Sequence, residues 1–286
     1  MAATVQGTSA SAAAGRTIGT ILLDELRHVA IAQDHAVESV LDMLMEGDAA
    51  SQRDGLWILW KISQNENSRV EIRNLGGLEI LVEWLSTDSI DIQKLSLRIL
   101  CNMSFDDASC QEIRRLGGVG AILDCLGSTY SAKGDIEVIR VALRTLCNLS
   151  INESNKMEIR LQGGLETITE CLRSEDLRTK RDALRTLCNL SIDPSNKVEL
   201  GDSVPYVLDC LKILDPETQR YALASLINLT SDEVNEQLVR ESGGLDEILH
   251  CAESSRDLDS RRFGVRCLCN MTLSDVNRVH LGKGRS

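Results

Sequence analysis

The sequence has few aromatic residues, almost no proline and no long apolar run. It contains 3 Trp, 3 Tyr, 2 Phe and 3 Pro in 286 residues, and alanine, leucine and serine take their place. This composition is typical of packed helices. No run of about 18 apolar residues occurs, so we predict no membrane span. The apolar share of 43% supplies a large core for one or two domains, which excludes a chain that is disordered throughout.

The charge is unbalanced toward acid. The chain has 31 Lys and Arg against 43 Asp and Glu, for a formal net charge of −12. An acidic chain is a poor candidate for coating nucleic acid or an anionic membrane through its whole surface, although a local basic patch stays open.

Patterns of catalysis, cofactor binding and metal binding are also missing. The sequence has no HExxH, GxSxG, Walker A or dinucleotide-binding glycine pattern. The terminal GKGRS follows no predicted strand, so we predict a flexible end over 282–286 rather than a phosphate loop. We therefore expect a protein that is not an enzyme and needs no cofactor or metal. The four histidines are scattered, at His28, His35, His250 and His280.

Eight of the ten cysteines occupy two repeated positions, without the CxxC spacing of metal sites. Such placement predicts small buried side chains and free thiols. It favours a reducing compartment, the cytosol with the nucleus as a second location. One column lies immediately before an Asn and contains Cys101, Cys147, Cys188 and Cys269; the other contains Cys125, Cys171, Cys210 and Cys251.

The first 16 residues are small and polar without periodicity, and we predict a disordered tail over 1–16. They lack the basic start and apolar stretch of a signal peptide, and Ala2 excludes myristoylation. An organellar transit peptide is disfavoured because the segment contains a single Arg.

An internal repeat organises most of the chain. The strings LRILCNMS, LRTLCNLS (twice), LASLINLT and VRCLCNMT share an Asn, and the intervals between successive Asn residues are 46, 41, 39 and 42 residues. LWILWKIS is an earlier copy, with Lys61 at the Asn position. A Gly-Gly pair followed by an apolar segment recurs with the same period.

Each unit predicts three helices. In one unit, SNKMEIRLQ forms the first helix, Gly-Gly makes a sharp turn, LETITECL forms the second helix, and KRDALRTLCNLS forms a long third helix. No unit of this size can bury its apolar faces alone. Stacked units would share a continuous core and form a superhelical rod.

The segment GGLETITECLRSEDLRTKRDALRTLCNLSIDPSN closely resembles the consensus of the armadillo-repeat family, and the resemblance extends over about residues 17–281. It implies an all-α fold, a right-handed α-solenoid of about six armadillo repeats. The predicted units are 17–64, 66–106, 108–151, 153–192, 194–231 and 233–274.

The sequence departs from the repeat consensus at four places, and each departure leads to a structural expectation. The first unit lacks both markers, as a terminal cap does. The fifth has Val204-Pro205 in place of Gly-Gly, and proline suits the first turn of a helix. The third carries a predicted loop over 127–136. The final DVNRVHLGKGRS opens another first helix without a polar cap, so either the chain continues or a partner, including a second copy end to end, covers this end.

The third helices place two basic columns before the Asn column. A step of four residues turns a helix by about 40°, so the Asn and the residue four earlier (position −4) share a face, and position −8 lies at its edge. The Asn column contains Asn102, Asn148, Asn189, Asn228 and Asn270; position −4 contains Trp57, Arg98, Arg144, Arg185, Ala224 and Arg266; position −8 contains Arg53, Lys94, Arg140, Arg181, Arg220 and Arg262.

The resemblance implies that third helices line a concave groove in which the Asn amides hold the backbone of an extended peptide. An amide offers a donor and an acceptor, as a peptide group does. Helices about 8–10 Å apart would each serve about three ligand residues. The alternative for the Asn column is hydrogen bonding between repeats, and both roles are compatible. For position −8 the alternative is pairing with the protein's own acids, such as Arg140 with Glu137.

Importin-type members of the family carry Trp at position −4 in an acidic groove and bind basic signals. Here Arg takes that place in four units, so beta-catenin, whose basic groove takes acidic segments, is the nearer analogue. We predict a scaffold or adaptor that binds an acidic or phosphorylated extended protein segment through the Asn and −4 columns, with Trp57 and Lys61 in the first unit and position −8 as a secondary stripe.

Two other functions stay open. One is regulation of a small GTPase or another folded partner through the groove and the edge loop 127–136. The other is the substrate-binding part of a ubiquitin ligase, because plant U-box ligases carry similar repeats; this would need a further N-terminal domain. Nucleic-acid binding is disfavoured by the sparse aromatic residues and a pI of about 4.9.

Overall fold

The computed structural model describes residues 36–132 and 134–283, apart from the side chains of His280 and Lys283. The predicted tail over 1–16, the start of the first unit and residues 284–286 lie outside the described residues. Every regular element within 36–132 and 134–283 is helical, which confirms the all-α class.

Each of the six third helices has 14 residues, and among the other described helices only Gly118–Ser131 is as long. Five of the six follow an Asp whose carboxylate accepts a hydrogen bond from a backbone N–H of the first turn, which satisfies a donor that the helix cannot pair. The third helices are Ala49–Ile62, Ile90–Met103, Ile136–Leu149, Leu177–Leu190, Pro216–Leu229 and Leu258–Met271.

First and second helices complete the units. The first helices are Glu66–Asn74, Asp107–Arg115, Glu153–Leu161, Pro194–Glu199 and Glu233–Glu241, and the 3-10 turn Leu200–Ser203 extends the fourth of them. The second helices are Ala36–Glu46, Gly77–Glu83, Gly118–Ser131, Gly164–Glu170, Val204–Leu211 and Gly244–Ser254; the 3-10 turns Trp84–Ser86 and Cys171–Arg173 extend two of them. A further first helix, Asp275–Lys283, follows the sixth unit, as predicted.

The Gly-Gly pair makes the predicted turn between the first and second helices. In the unit at 153–192, Gly163 has a φ of 71°, a left-handed conformation that most side chains disfavour, and Gly164 begins the next helix. In the fifth unit the turn is made differently, because a 3-10 turn runs directly into a helix that carries Pro205 in its first turn. The first turn therefore tolerates proline there.

Stacking of the units builds one continuous core. Consecutive third helices pack against one another along the chain, and the buried apolar cluster extends from Val37 to Met271. No unit has a separate core of its own, which is the arrangement that a solenoid requires.

The predicted loop over 127–136 is wrong for its first half. The second helix of the third unit continues to Ser131. Ser128 Oγ donates to the carbonyl oxygen of Cys125 at 3.2 Å, and Tyr130 Oη donates to that of Glu170 in the next unit at 2.9 Å. These hydrogen bonds satisfy the hydroxyl groups of Ser128 and Tyr130 within a helix. The polar composition of this segment was therefore not evidence for a loop.

The cysteines confirm the predicted core position with two exceptions, the half-buried Cys188 and the exposed Cys269. All ten thiols are free, and eight are buried, including every member of the column that contains Cys125 and Cys171. Burial raises the pKa of Cys171 to about 12, so it stays a neutral thiol. Cys269 is exposed. Among the described residues no seventh third helix covers its helix, Leu258–Met271.

Candidate functional site

The exposed side of the stacked third helices brings the Asn, −4 and −8 columns together, and we call this surface the third-helix face. The described Asn residues are half-buried, whereas Arg144, Arg185 and Arg266 are exposed. Two shallow cavities of about 480 and 510 Å³ lie on this face, one beside Trp57 and Arg98 and the other beside Arg144.

Each Asn of the column is bonded to the preceding unit through its amide nitrogen. Asn189 Nδ2 donates to the carbonyl oxygen of Cys147 at 3.1 Å and to Ser150 Oγ at 3.2 Å, both at the end of the preceding third helix. The same type of bond holds the other four. The inter-repeat role weighed above is therefore present at Asn102, Asn148, Asn189, Asn228 and Asn270.

The side-chain oxygens of these Asn residues remain available. Within the described part of the chain, none of the five Oδ1 atoms accepts a hydrogen bond, and none is sealed from solvent. Because Nδ2 is held by the protein, Oδ1 is presented in a fixed orientation. An acceptor fixed in this way can receive the N–H of an extended peptide.

The arginines at position −4 divide into one that is paired and three that are not. Arg98 forms an ion pair with Glu137 of the next unit and lies over the Trp60 ring, with its guanidinium carbon 5.0 Å from the ring centre. In the described part of the chain, Arg144, Arg185 and Arg266 form no ion pair and no side-chain hydrogen bond. Their guanidinium donors are free for a ligand.

Position −8 is occupied with internal ion pairs. From the second to the fifth unit, each basic residue lies near the Asp that caps the next third helix. Arg140, for example, donates from Nε to Asp176 Oδ2 at 3.0 Å, so its partner is Asp176 rather than Glu137. The other pairs are Lys94–Asp135, Arg181–Asp215 and Arg220–Asp257, at 2.6, 3.8 and 4.0 Å, and Arg262 pairs with Asp259 at 3.2 Å.

The pairing between position −8 and a helix-capping aspartate also changes the pKa of that aspartate. The side-chain hydrogen bond from Arg140 holds the pKa of the Asp176 carboxyl well below its usual range, with Thr179 bonds contributing. Asp176 thus serves two helices at once, because it caps its own helix and anchors the preceding one. The −8 column therefore fastens neighbouring units together.

Asp182 is the acid that lies within the third-helix face between the third and fourth units. It is half-buried, and its Oδ2 atom is shielded from solvent without a hydrogen-bond partner among the described residues. Burial raises the pKa of Asp182 to about 6, against the opposing charges of Arg144, Arg178 and Arg185. At this junction, Asp182 is therefore an acid without an ion pair among several arginines of the described residues.

The first unit presents an aromatic and cationic cluster instead of an Asn. Lys61 Nζ lies 5.3 Å from the centre of the Trp57 ring and 4.4 Å from that of Trp60. Such cation–π contacts hold the ammonium group over the two rings. This end of the face thus combines two half-buried tryptophan rings with two exposed cations, Arg53 and Lys61.

Sequence reasoning missed the position eleven residues before each Asn. It holds an acid in four units, and three of these acids pair with basic residues of the preceding unit. In the fourth unit, Arg178 occupies it. Extending the column count by one helical turn would have found this pattern. The four acids are Asp91, Glu137, Glu217 and Asp259.

Among the described residues, no group of His, Cys, Asp and Glu is placed to hold a metal ion. None of the described helices has the length and apolar character needed to cross a membrane.

Comparison with known proteins agrees with this geometry. The family model for the armadillo/beta-catenin-like repeat matches residues 152–192. An engineered protein of known structure is similar at 26% identity and a TM-score of 0.76, over 83% of this chain and 96% of that one. A designed armadillo repeat protein, and another in complex with the peptide (KR)4, each align at 16% identity and a TM-score of 0.74, over 82% of this chain and 98% of theirs. No curated protein sequence matches significantly.

The repeat, the continuous core and these similarities define an α-solenoid of the class that serves as a protein-interaction scaffold. One unit of the chain matches the armadillo/beta-catenin-like repeat model, and the fold is that of armadillo-repeat solenoids.

Proposed function

We propose that the protein binds an acidic or phosphorylated extended segment of a partner protein along the third-helix face. The observation that carries this proposal is the pairing of unused Asn Oδ1 acceptors with unpaired guanidinium groups one helical turn away, as at Asn148 with Arg144 and Asn189 with Arg185. The Asn oxygens would accept backbone N–H groups, and the arginines would bind ligand carboxylates or phosphates.

The charge of the face supports an acidic ligand. A designed armadillo repeat protein takes the basic peptide (KR)4, so this fold accommodates an extended peptide. Arg144, Arg185 and Arg266 are exposed on the third-helix face and have no ion-pair partner within residues 36–132 and 134–283, so a basic peptide would meet like charge. Arg98 would contribute less, because Glu137 already holds it. The paired residues at position −8 would act mainly between units.

Two further expectations accompany the proposal. The ten free thiols support a reducing compartment, the cytosol or nucleus. Regulation of a folded partner through an edge loop is less well supported, because residues 127–131 are helical and Tyr130 is bonded to the next unit.

The decisive variant is Arg144→Glu/Arg185→Glu, tested by fluorescence anisotropy. The probe is a labelled 15-residue peptide of repeated Glu-Ser-Gly, and the same peptide with Lys for Glu serves as the basic comparison. We expect the wild-type protein to bind the acidic peptide and not the basic one. The double variant should bind the acidic peptide at least about tenfold more weakly, because two attractive charges become repulsive.

The matched control is Arg115→Glu/Arg173→Glu, which makes the same charge change at exposed residues outside the third helices. It should leave affinity within about twofold, and circular dichroism should show unchanged helicity for both variants. Undiminished binding by Arg144→Glu/Arg185→Glu would remove the third-helix face as the ligand site.

A further inference from the structure

We propose that the junction of the third and fourth units is a docking site for a single phosphoryl group, held by Arg144, Arg178 and Arg185. The inference rests on the proposed function and deepens it, because it places a phosphorylated residue of the ligand at one position of the third-helix face. Nothing in the repeat consensus itself requires Arg178 there.

A column of acids is interrupted in the fourth unit. Eleven residues before the Asn, four units carry an acid, and Glu137, Glu217 and Asp259 neutralise basic residues of the preceding unit. In the fourth unit, Arg178 replaces this acid, so the arginines of the third unit lose one partner and gain a like charge. The junction becomes the place where the internal neutralisation fails.

Positive charge remains at this junction after the internal ion pairs are counted. Asp135 and Glu137 pair with Lys94 and Arg98 of the second unit, and Arg140 pairs with Asp176. Three guanidinium groups, those of Arg144, Arg178 and Arg185, are then opposed by the single carboxyl group of Asp182. Two net positive charges are left, which matches the charge of about −1.5 to −2 on a phosphoserine or phosphothreonine at neutral pH.

The neighbouring cavity provides an internal comparison. The cavity of about 480 Å³ at the first and second units also contains cations, but Lys94 and Arg98 are paired. The remaining lining charges that form no ion pair are Arg53, Asp54 and Asp91, which leave one net negative charge. By the same count, the unpaired charges that line the cavity of about 510 Å³ are Arg144, Arg178 and Asp182, which leave one net positive charge, and Arg185 beside Asp182 adds a second.

The three arginines of the junction are accessible to a ligand. The three arginines are exposed, whereas Asp182 is half-buried, so a ligand reaches the guanidinium groups before the carboxyl group. Arg144 and Arg178 line the cavity of about 510 Å³ together with Asp182 and three residues already engaged in ion pairs, Asp135, Glu137 and Arg140. Among the described residues, none of the three guanidinium groups makes a hydrogen bond, so their donors are unused. A phosphoryl group has three acceptor oxygens and can engage more than one arginine, which a carboxylate does less fully.

The test compares two peptides on one protein. Both are the labelled Glu-Ser-Gly peptide, one with its central Ser phosphorylated and one with Glu at that place. We expect the wild-type protein to bind the phosphorylated peptide about five- to tenfold more tightly. Arg178→Glu, which restores the acid of the other units, should reduce this preference below about twofold while weakening the Glu peptide less. An acid near the start of Leu177–Leu190 suits the helix, so the variant should fold; Arg178→Gln provides a milder change.

The control is Arg266→Glu in the sixth unit, which removes an exposed, unpaired arginine far along the face. It should weaken both peptides by the same factor and leave the preference intact. Equal binding of the two peptides to the wild-type protein, or equal loss of preference in both variants, would overturn the phosphoryl site and leave the proposed function standing. If neither peptide bound the wild-type protein, the proposed function itself would be overturned.

Discussion

Two aspartates of one helical segment show how local surroundings decide the role of the same side chain. Asp176 precedes the helix Leu177–Leu190, accepts the backbone N–H of Thr179 and bonds Arg140, and its pKa is lowered mainly by the Arg140 bond. Asp182 lies two turns further, and burial raises its pKa to about 6. Their ionised forms therefore act on stability in opposite directions.

Asp182→Asn should stabilise the protein at alkaline pH. A folded-state pKa raised above the unfolded value of 3.8 means that the ionised carboxyl group disfavours folding. This cost is full above about pH 6 and disappears as the pH falls below the unfolded value. We expect the urea midpoint of Asp182→Asn to exceed that of the wild type at about pH 8, and the difference to shrink toward about pH 4.

Asp176→Asn is the matched control for this measurement. Asn still caps a helix but cannot pair with Arg140, so the variant should be less stable than the wild type at neutral pH. Because the folded pKa of Asp176 is depressed, that loss should fade only in acid. A pH-independent difference for Asp182→Asn would show that the groups around it, Arg144, Arg178, Arg181 and Arg185, already offset its burial.

At the scale of the helix junction, the two glycines of each pair have different functions. Gly163 needs its left-handed φ of 71° but has open space where a Cβ would lie. Gly164 has an ordinary φ, but its Cβ would lie 2.7 Å from the carbonyl oxygen of Ile159 and 2.9 Å from Leu123 Cδ1 of the preceding unit. The first glycine makes the turn, and the second allows close packing of two units.

Gly164→Ala should therefore destabilise the protein more than Gly163→Ala. We expect a loss of about 1–2 kcal/mol for Gly163→Ala from the left-handed conformation. Gly164→Ala should exceed it, because crowding against backbone adds to an overpacking cost of about 1–3 kcal/mol. Urea denaturation followed by circular dichroism measures both.

Gly120→Ala is the control for the glycine series. Gly120 lies inside the helix Gly118–Ser131, and a Cβ there would meet only the Gln162 side chain at 3.6 Å. Since alanine favours helix over glycine, this variant should gain about 0.5–1 kcal/mol. If Gly164→Ala behaved like Gly120→Ala, close packing at the junction would be ruled out as the reason for the second glycine.

Over the whole molecule, a basic face is embedded in an acidic protein. The formal net charge is −12, yet Arg144, Arg185 and Arg266 are unpaired on the third-helix face. At distances beyond a Debye length of about 10 Å at 0.1 M salt, an acidic ligand is repelled weakly, whereas contact with the face is attractive. The balance between these two effects determines how binding responds to salt.

The proposed site predicts that salt weakens binding. Raising the salt concentration from about 0.05 to about 0.5 M should weaken binding of the acidic Glu-Ser-Gly peptide, because short-range ion pairs dominate the affinity. The dependence should flatten in Arg144→Glu/Arg185→Glu. Binding that strengthens with salt would mean that net repulsion controls association, and would count against an ionic contact at the face.

How far sequence could predict the site differs among the columns. The Asn and −4 columns could be aligned from period alone, and the structure places the described members on one surface. The ion-pair partners of the basic columns could not be predicted from the sequence. Arg140 pairs with Asp176 across a unit boundary, while Glu137, one turn away from Arg140, pairs with Arg98. Spacing along one helix favours the local partner, whereas stacking brings in a residue 36 positions away.

The sequence alone determined the all-α class, the repeated three-helix unit, the glycine turns and the buried cysteine columns, because each depends on periodicity or on the conformational freedom of a single residue. Only the tertiary structure decided that residues 127–131 are helical, that four residues of the −8 column pair with helix-capping acids, and that Arg144, Arg178 and Arg185 lie near Asp182. These outcomes depend on which side chains meet when units stack. The residue spacing within one unit does not determine the distances between side chains of different units.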